Sequence, residues 1–124
     1  MAGFPGDGLA IRVRNLTRNT VLAETADVAD TSIKRRTGLL KHVSLPAGEG
    51  LWIAPCEAVH TFRMQFPIDI VFLSRKRQVL KLRERVPARR IALCLRAYSV
   101  LELPAGMVEA TGTTKGDQLE FDKL

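Results

Sequence analysis

The chain has 124 residues, 46% of them hydrophobic, and a formal net charge of +6 at pH 7. This length suits one folded domain, and this apolar share excludes an intrinsically disordered chain. No apolar run approaches the roughly 18 residues of a membrane-spanning helix, and the first residues have neither the basic nor the apolar region of a signal peptide. We therefore expect one soluble, cytoplasmic domain over residues 9–124, preceded by a disordered, glycine-rich segment at residues 1–8.

The first part of the chain predicts a β-hairpin and a short helix. Residues 9–14 alternate apolar with polar or small side chains, as a half-buried strand does, and residues 20–23 are the predicted hairpin partner. Asp30 is expected to cap a helix. The residues of that helix that follow helical spacing are Ile33, Arg36, Leu39 and Leu40.

The rest of the chain has the pattern of a β protein. Strands are predicted at residues 50–54, 68–73, 79–83, 99–103 and 118–121, with a hairpin tip at Ser74–Arg77. Many short strands and few helical segments predict a mainly β fold. We expect a compact antiparallel β-sandwich or barrel-like single domain with one or two short helices.

Basic side chains are concentrated in residues 75–96, where Glu84 is the only acidic residue. Such a segment can be a solvated hairpin, or it can attract phosphates, nucleic acid or another anionic surface. The candidate anion-binding residues are Arg75, Lys76, Arg77, Arg83, Arg89 and Arg90.

Cys56, His60 and Met64 follow one another at four-residue intervals. On a helix the three would share a face, but in a strand Cys56 and His60 would lie roughly 13 Å apart, too far to share a metal ion. We expect no metal site and no cofactor. Cys56 and His60 would instead form the nucleophile and base of a hydrolase if their side chains met.

Asp69 and Glu102 each interrupt an apolar strand. A buried carboxylate there needs hydrogen bonds or a cation, for which Arg63 is a candidate. The two carboxylates either fix local structure or form an acid–base pair. We expect a polar cleft built from these residues and the preceding three: Cys56, His60, Arg63, Met64, Asp69 and Glu102.

Several segments in this order resemble the DUF192 family, also called UPF0127, which occurs in bacteria and archaea and has no assigned activity. They are Arg36–Leu40, Gly50–Ile53, Phe62–Met64, Pro67–Leu73, Leu101–Gly106 and Gly116–Asp117. The resemblance implies a compact, mainly antiparallel β fold with a small helical element, and it implies no reaction.

Three function classes follow from these observations. The leading hypothesis is a non-enzymatic protein that uses the polar cleft to bind a small ligand or a protein partner. The second is a hydrolase that uses Cys56 with His60, or Asp69 with Glu102. The third is a protein that binds nucleic acid or an anionic surface through residues 75–96. The sequence does not indicate an oligomeric state.

Overall fold

The computed structural model describes residues 9–39, 42–62 and 64–124, which form nine strands and two short helices. The strands are β1 (Ala10–Asn15), β2 (Thr20–Ala29), β3 (Glu49–Ile53), β4 (Ala58–His60), β5 (Ile68–Leu73), β6 (Val79–Val86), β7 (Ile91–Leu93), β8 (Ser99–Pro104) and β9 (Leu119–Lys123). The helices are α1 (Ser32–Thr37) and α2 (Met107–Thr111).

Seven of the strands form one sheet in the order β6-β5-β8-β3-β2-β1-β9, which curls into a half-barrel. The other two, β4 and β7, form a small antiparallel sheet of their own. The predicted mainly β fold is therefore confirmed. One detail differs from a purely antiparallel fold, because β2 and β3 pair in parallel.

The large sheet is covered on both faces, and each face has its own apolar core. The first core includes Val13, Leu22, Val71 and Leu101, and the second includes Leu51, Ile53, Ile70, Phe72 and Val100. Strand β5 lies between β6 and β8 and is buried at every position, so its side chains alternate between the two cores.

The curl of the sheet brings its two edge strands, β6 and β9, together at one end. Gln78 and Gln118 form an isolated antiparallel bridge just before these strands begin. The main-chain N–H of Val79 donates to the carbonyl of Asp117 at 2.8 Å, and that of Leu119 donates to the carbonyl of Arg77 at 2.9 Å. Closing a sheet in this way removes part of the exposed edge that would otherwise attract other chains.

Several predicted elements have different ends in the structure. Strand β2 continues to Ala29, well beyond the predicted residue 23. Helix α1 is capped by Thr31 rather than Asp30, because the Thr31 hydroxyl accepts the N–H of Lys34 at 3.2 Å. It ends at Thr37 and is followed by the C-cap residue Gly38, whose φ of 48° favours glycine. The prediction for residues 1–8 and the predicted helix end at Leu40 lie outside the described residues.

Three elements were not predicted: β4, β7 and α2. The first two are three residues long, and α2 has five residues, so none has room for a periodic pattern. No helix in the described part of the chain is long and apolar enough to cross a membrane.

Candidate functional site

An open cleft of about 980 Å³ lies on the second-core face of the large sheet. One wall is α1 with the following Gly38 and Leu39, and the other wall is β4 with the preceding residues 55–57. Ile53 and Glu102 reach the cleft from the central strands β3 and β8. Four of the predicted site residues line it: Cys56, His60, Met64 and Glu102.

Glu102 is the most unusual residue of the cleft. It is directly opposite Leu51 on β3 and Ile70 on β5, so its side chain shares a face with the apolar second core. Glu102 is only 5% exposed, and its carboxylate accepts no hydrogen bond and forms no ion pair with any described residue. Burial raises the pKa of Glu102 from 4.5 to about 7.

The close approach of β3 and β8 beside this carboxylate requires a glycine at position 50. A Cβ atom at Gly50 would lie 3.0 Å from the main-chain oxygen of Glu102 and 3.1 Å from a side-chain carbon of Leu103. The glycine therefore allows the two central strands to pair where Glu102 enters the cleft.

Cys56 and His60 line the same cleft without forming a nucleophile–base pair. The Cys56 thiol donates to the carbonyl of Ala58 at 3.2 Å, while the His60 ring stacks on Phe62 with ring centroids 5.5 Å apart. Burial raises the pKa of the Cys56 thiol, and the charge of Glu102 raises it further. A thiol with a raised pKa is a poor nucleophile at neutral pH, because the thiolate is the reactive form.

Arg35 and Arg36 also line the cleft, from α1. The Arg35 guanidinium donates to the main-chain oxygens of Asp30, at 3.1 Å, and Ala54, at 3.5 Å. Within the described part of the chain it pairs with no carboxylate, so its positive charge is available at the cleft. The sequence did not indicate these two arginines as site residues, because α1 and β4 come to line the same cleft only in the folded chain.

Asp69 does not lie in the cleft, contrary to the expectation from the sequence. It faces the first core and is fully buried. Its carboxylate accepts the main-chain N–H groups of Arg85 at 2.8 Å, Gly106 at 3.1 Å and Val108 at 2.8 Å. These bonds tie β6 to the start of α2, so Asp69 fixes local structure.

Asp69 and Glu102 therefore point to opposite faces of one sheet and do not form an acid–base pair. The reason is the register: Glu102 is opposite Ile70, and the neighbouring Asp69 alternates to the other face. Arg63 lies outside the described residues. Among the residues that the structure describes, no three or more His, Cys, Asp or Glu side chains are grouped so that they could hold a metal ion.

The candidate anion-binding residues fall into separate groups. Arg75, Lys76 and Arg77 lie at the β5–β6 hairpin tip, whereas Arg89 and Arg90 follow the far end of β6. The eight-residue strand β6, which is roughly 23 Å long, lies between the two groups. Arg83 is exposed on β6 between them.

At the hairpin tip, two arginines stack on aromatic rings of the protein itself. The Arg75 guanidinium lies 4.4 Å from the ring centre of Tyr98, and that of Arg77 lies 4.2 Å from the ring centre of Phe121. These cation–π contacts hold the hairpin tip against the rest of the protein, so Arg75 and Arg77 already interact with the protein itself.

Sequence comparisons link the chain to proteins without an assigned activity. The model of the DUF192 family, described as "Uncharacterized ACR", matches residues 13–121. UPF0127 protein PF1050 of Pyrococcus furiosus is 29% identical over 115 residues, which cover 89% of this chain and 97% of that protein. A UPF0127 protein of Thermococcus sibiricus is 27% identical over 113 residues, which cover 87% of this chain and 73% of that protein.

Two solved structures share the fold. A protein of unknown function from Novosphingobium aromaticivorans has a TM-score of 0.79 and 22% identity, over 96% of this chain and 91% of its own. A protein from Sinorhizobium meliloti named "putative transcription regulator" has a TM-score of 0.79 and 21% identity, over 91% of this chain and 92% of its own. At these identities the likeness concerns the fold alone.

Proposed function

This chain belongs to the DUF192 family, and we propose that it is a non-enzymatic binding protein whose ligand occupies the cleft between α1 and β4 and brings a cationic group to Glu102. The proposal rests on one observation. The Glu102 carboxylate is 5% exposed, accepts no hydrogen bond from the described residues and lines an open cleft.

A carboxylate in this position is costly to ionise, because apolar neighbours replace water without supplying hydrogen bonds. A ligand cation would restore the missing partner and would be attracted strongly in such an environment of low polarity. No described residue therefore compensates the negative charge of the ionised Glu102 carboxylate, and a bound cationic group would do so.

The other cleft residues suggest the rest of the ligand. Leu39, Ile53, Val59 and Met64 supply apolar surface, which favours an aliphatic or otherwise apolar body next to the cation. Arg35 lies at the same cleft with its charge unneutralised by any described carboxylate, which favours a ligand that also carries an acceptor group such as a carbonyl.

A hydrolytic function has less support. The two carboxylates of the proposed acid–base pair lie on opposite faces of the sheet. The Cys56 thiol has a raised pKa and is hydrogen-bonded to a carbonyl rather than to His60. A binding role needs neither pair, so it accounts for the cleft with fewer assumptions.

The test is titration calorimetry at pH 8, where Glu102 is ionised, with butylamine, cadaverine and agmatine as probes and butanol as the uncharged comparison. We expect saturable binding of the cations, and a loss of about tenfold or more in affinity in Glu102→Gln. Glu57→Gln is the matched control, because Glu57 lines the same cleft but is exposed. Equal affinity in both variants, or no saturable binding of any cation, would contradict the proposal.

A further inference from the structure

The small sheet leaves one of its edges open toward the cleft, as its hydrogen-bond pattern reveals. The N–H of Cys94 donates to the carbonyl of Glu57, and the N–H of Thr61 donates to the carbonyl of Arg90, each at 2.8 Å. In an antiparallel pair, hydrogen-bonded and non-hydrogen-bonded residue pairs alternate. The residues at positions 57, 59 and 61 thus bond to β7 or to the residues that flank it, and those at positions 58 and 60 direct their main-chain groups away from β7.

The outward groups of β4 belong to Ala58 and His60. In this register the N–H and carbonyl groups of both residues point away from β7, and the carbonyl of Ala58 accepts the weak thiol donor of Cys56. Both residues line the cleft, and no residue of β7 does. The open edge of β4 therefore faces α1 across the cleft.

The opposite edge of the small sheet, on β7, is occupied by a lysine side chain. The outward carbonyl of Leu93 on β7 accepts the ammonium group of Lys81 at 2.7 Å. A lysine on an edge strand is a common means of preventing a further strand from pairing there. The sheet thus has one edge blocked by a lysine and one edge left open inside the cleft.

We propose that the ligand of the cleft is an extended peptide segment that pairs with β4 as an added strand and directs a lysine or arginine side chain to Glu102. This inference rests on the proposed function, because it names the ligand class of the same site. A peptide main chain supplies donors and acceptors at the two-residue period that Ala58 and His60 present. Alternate side chains of such a strand point to one face, where one of them meets the Glu102 carboxylate.

The dimensions agree with a short peptide. Strand β4 has three residues and is about 10 Å long, which matches a paired segment of three residues with one more at each end. Apolar side chains of the peptide would contact Val59 and Met64, and a carbonyl beyond the paired segment would be within reach of α1. A small amine would use the carboxylate but leave the strand edge unpaired.

The experiment uses two libraries of acetylated, amidated pentapeptides that are randomised at four positions among residues other than lysine, arginine and histidine. One library has lysine fixed at the centre and the other has norleucine, which keeps the aliphatic chain without the charge. Bound peptides are identified by affinity selection and mass spectrometry, and the tightest are resynthesised for calorimetry at pH 8. We expect selection from the lysine library only.

The decisive variants remove one outward N–H from each edge of the small sheet. Ala58→Pro removes the donor that faces the cleft, and Leu93→Pro removes the corresponding donor on the other edge, at the position paired with Ala58. We expect peptide affinity to fall about tenfold or more in Ala58→Pro and in Glu102→Gln, and to change less than about twofold in Leu93→Pro. Circular dichroism and thermal melting check that each variant is folded.

Methylation of the peptide main chain tests the hydrogen bonds between the peptide and β4 without changing the protein. If the peptide adds as a strand, N-methylation at alternate residues abolishes binding, whereas N-methylation at the intervening residues is tolerated. Binding that depends on Glu102 but tolerates every N-methyl group and Ala58→Pro would overturn the added strand and leave the proposed function intact. Failure of both the lysine peptides and the small cations to bind in a Glu102-dependent way would overturn both.

Discussion

Two buried carboxylates on neighbouring strands of the large sheet differ in what surrounds them. Asp69 accepts three main-chain N–H groups, so its charge is compensated inside the protein. Glu102 faces apolar side chains and the cleft, and its charge is not compensated by any described residue. The same chemical group therefore stabilises the fold at one position and lowers its stability at the other.

The first prediction concerns the pH dependence of stability at Glu102. Because burial raises its pKa from 4.5 to about 7, the native state holds this proton more tightly than the unfolded state. Its contribution to stability is fully present below about pH 4.5 and is lost as the pH rises through about 7. Once ionised, the buried carboxylate lowers the free energy of unfolding by about 3 kcal/mol.

Glu102→Gln should therefore raise the melting temperature by about 10 °C at pH 8.5 and change it little at pH 4.5, as measured by calorimetry. Glu57→Gln, in the same cleft, should have no such pH-dependent effect. An identical shift at both pH values would show that the carboxylate is not desolvated. The charged and titratable groups that line the cleft with Glu102 are Arg35, Arg36, Cys56, Glu57, His60 and Tyr98.

A second prediction at the residue scale concerns Asp69. Asp69→Asn replaces an acceptor oxygen by an NH₂ group, so at least one of the three main-chain donors faces another donor. We expect the free energy of unfolding, measured in urea, to fall by about 2–4 kcal/mol. The same change at the exposed Asp30 should have little effect. Hydrogen exchange should show lost protection at Arg85, Gly106 and Val108, and unchanged exchange there would contradict the role of Asp69.

At the scale of elements, the sequence predicts those strands that can be recognised from their own pattern of apolar residues. The run Ile68–Leu73 is apolar except at Asp69, and β5 begins and ends as predicted. Helix α2 has no comparable pattern, because its start is held by the distant Asp69 carboxylate. The small sheet depends on pairing between β4 and β7, which are separated by a long stretch of chain.

The candidate site was predictable in the same limited sense. A carboxylate inside an apolar strand is conspicuous, and this feature pointed to Glu102. It pointed equally to Asp69, because the face to which each side chain points depends on the register between β5 and β8. The wall formed by Arg35 and Arg36 depends on where α1 packs, and helical spacing alone does not determine that.

At the scale of the whole molecule, the half-barrel depends on the contact between its edge strands. Asp117 lies at this contact, with a side chain that is 3% exposed. Its carboxylate accepts the side-chain amide of Asn15 at 3.0 Å, the guanidinium of Arg18 at 3.1 Å and the N–H of Thr114 at 3.0 Å. Since the carbonyl of Asp117 also accepts the N–H of Val79, this residue connects the β1–β2 turn, the start of β9 and β6.

These contacts make the closure of the sheet sensitive to acid. Burial alone would raise the pKa of Asp117, but the hydrogen bonds from Asn15, Thr114 and Arg18 outweigh it and lower the pKa to about 2. The stability supplied by Asp117 is therefore present above about pH 4 and is lost as the pH falls through about 2. We expect Asp117→Asn to lower the free energy of unfolding by about 2 kcal/mol at pH 7, and by progressively less toward pH 2.

Urea denaturation between pH 2 and pH 7 measures this difference, and Asp122→Asn provides the comparison. Asp122 pairs with Arg14 on the neighbouring strand, but its side chain is 39% exposed and water screens the pair, so its loss should lower stability less than the loss of Asp117. A larger loss of stability in Asp122→Asn than in Asp117→Asn would mean that the exposed ion pairs between β1 and β9 hold the half-barrel together. The expected order instead assigns that role to the buried hydrogen bonds of Asp117, at the point where β6 and β9 meet.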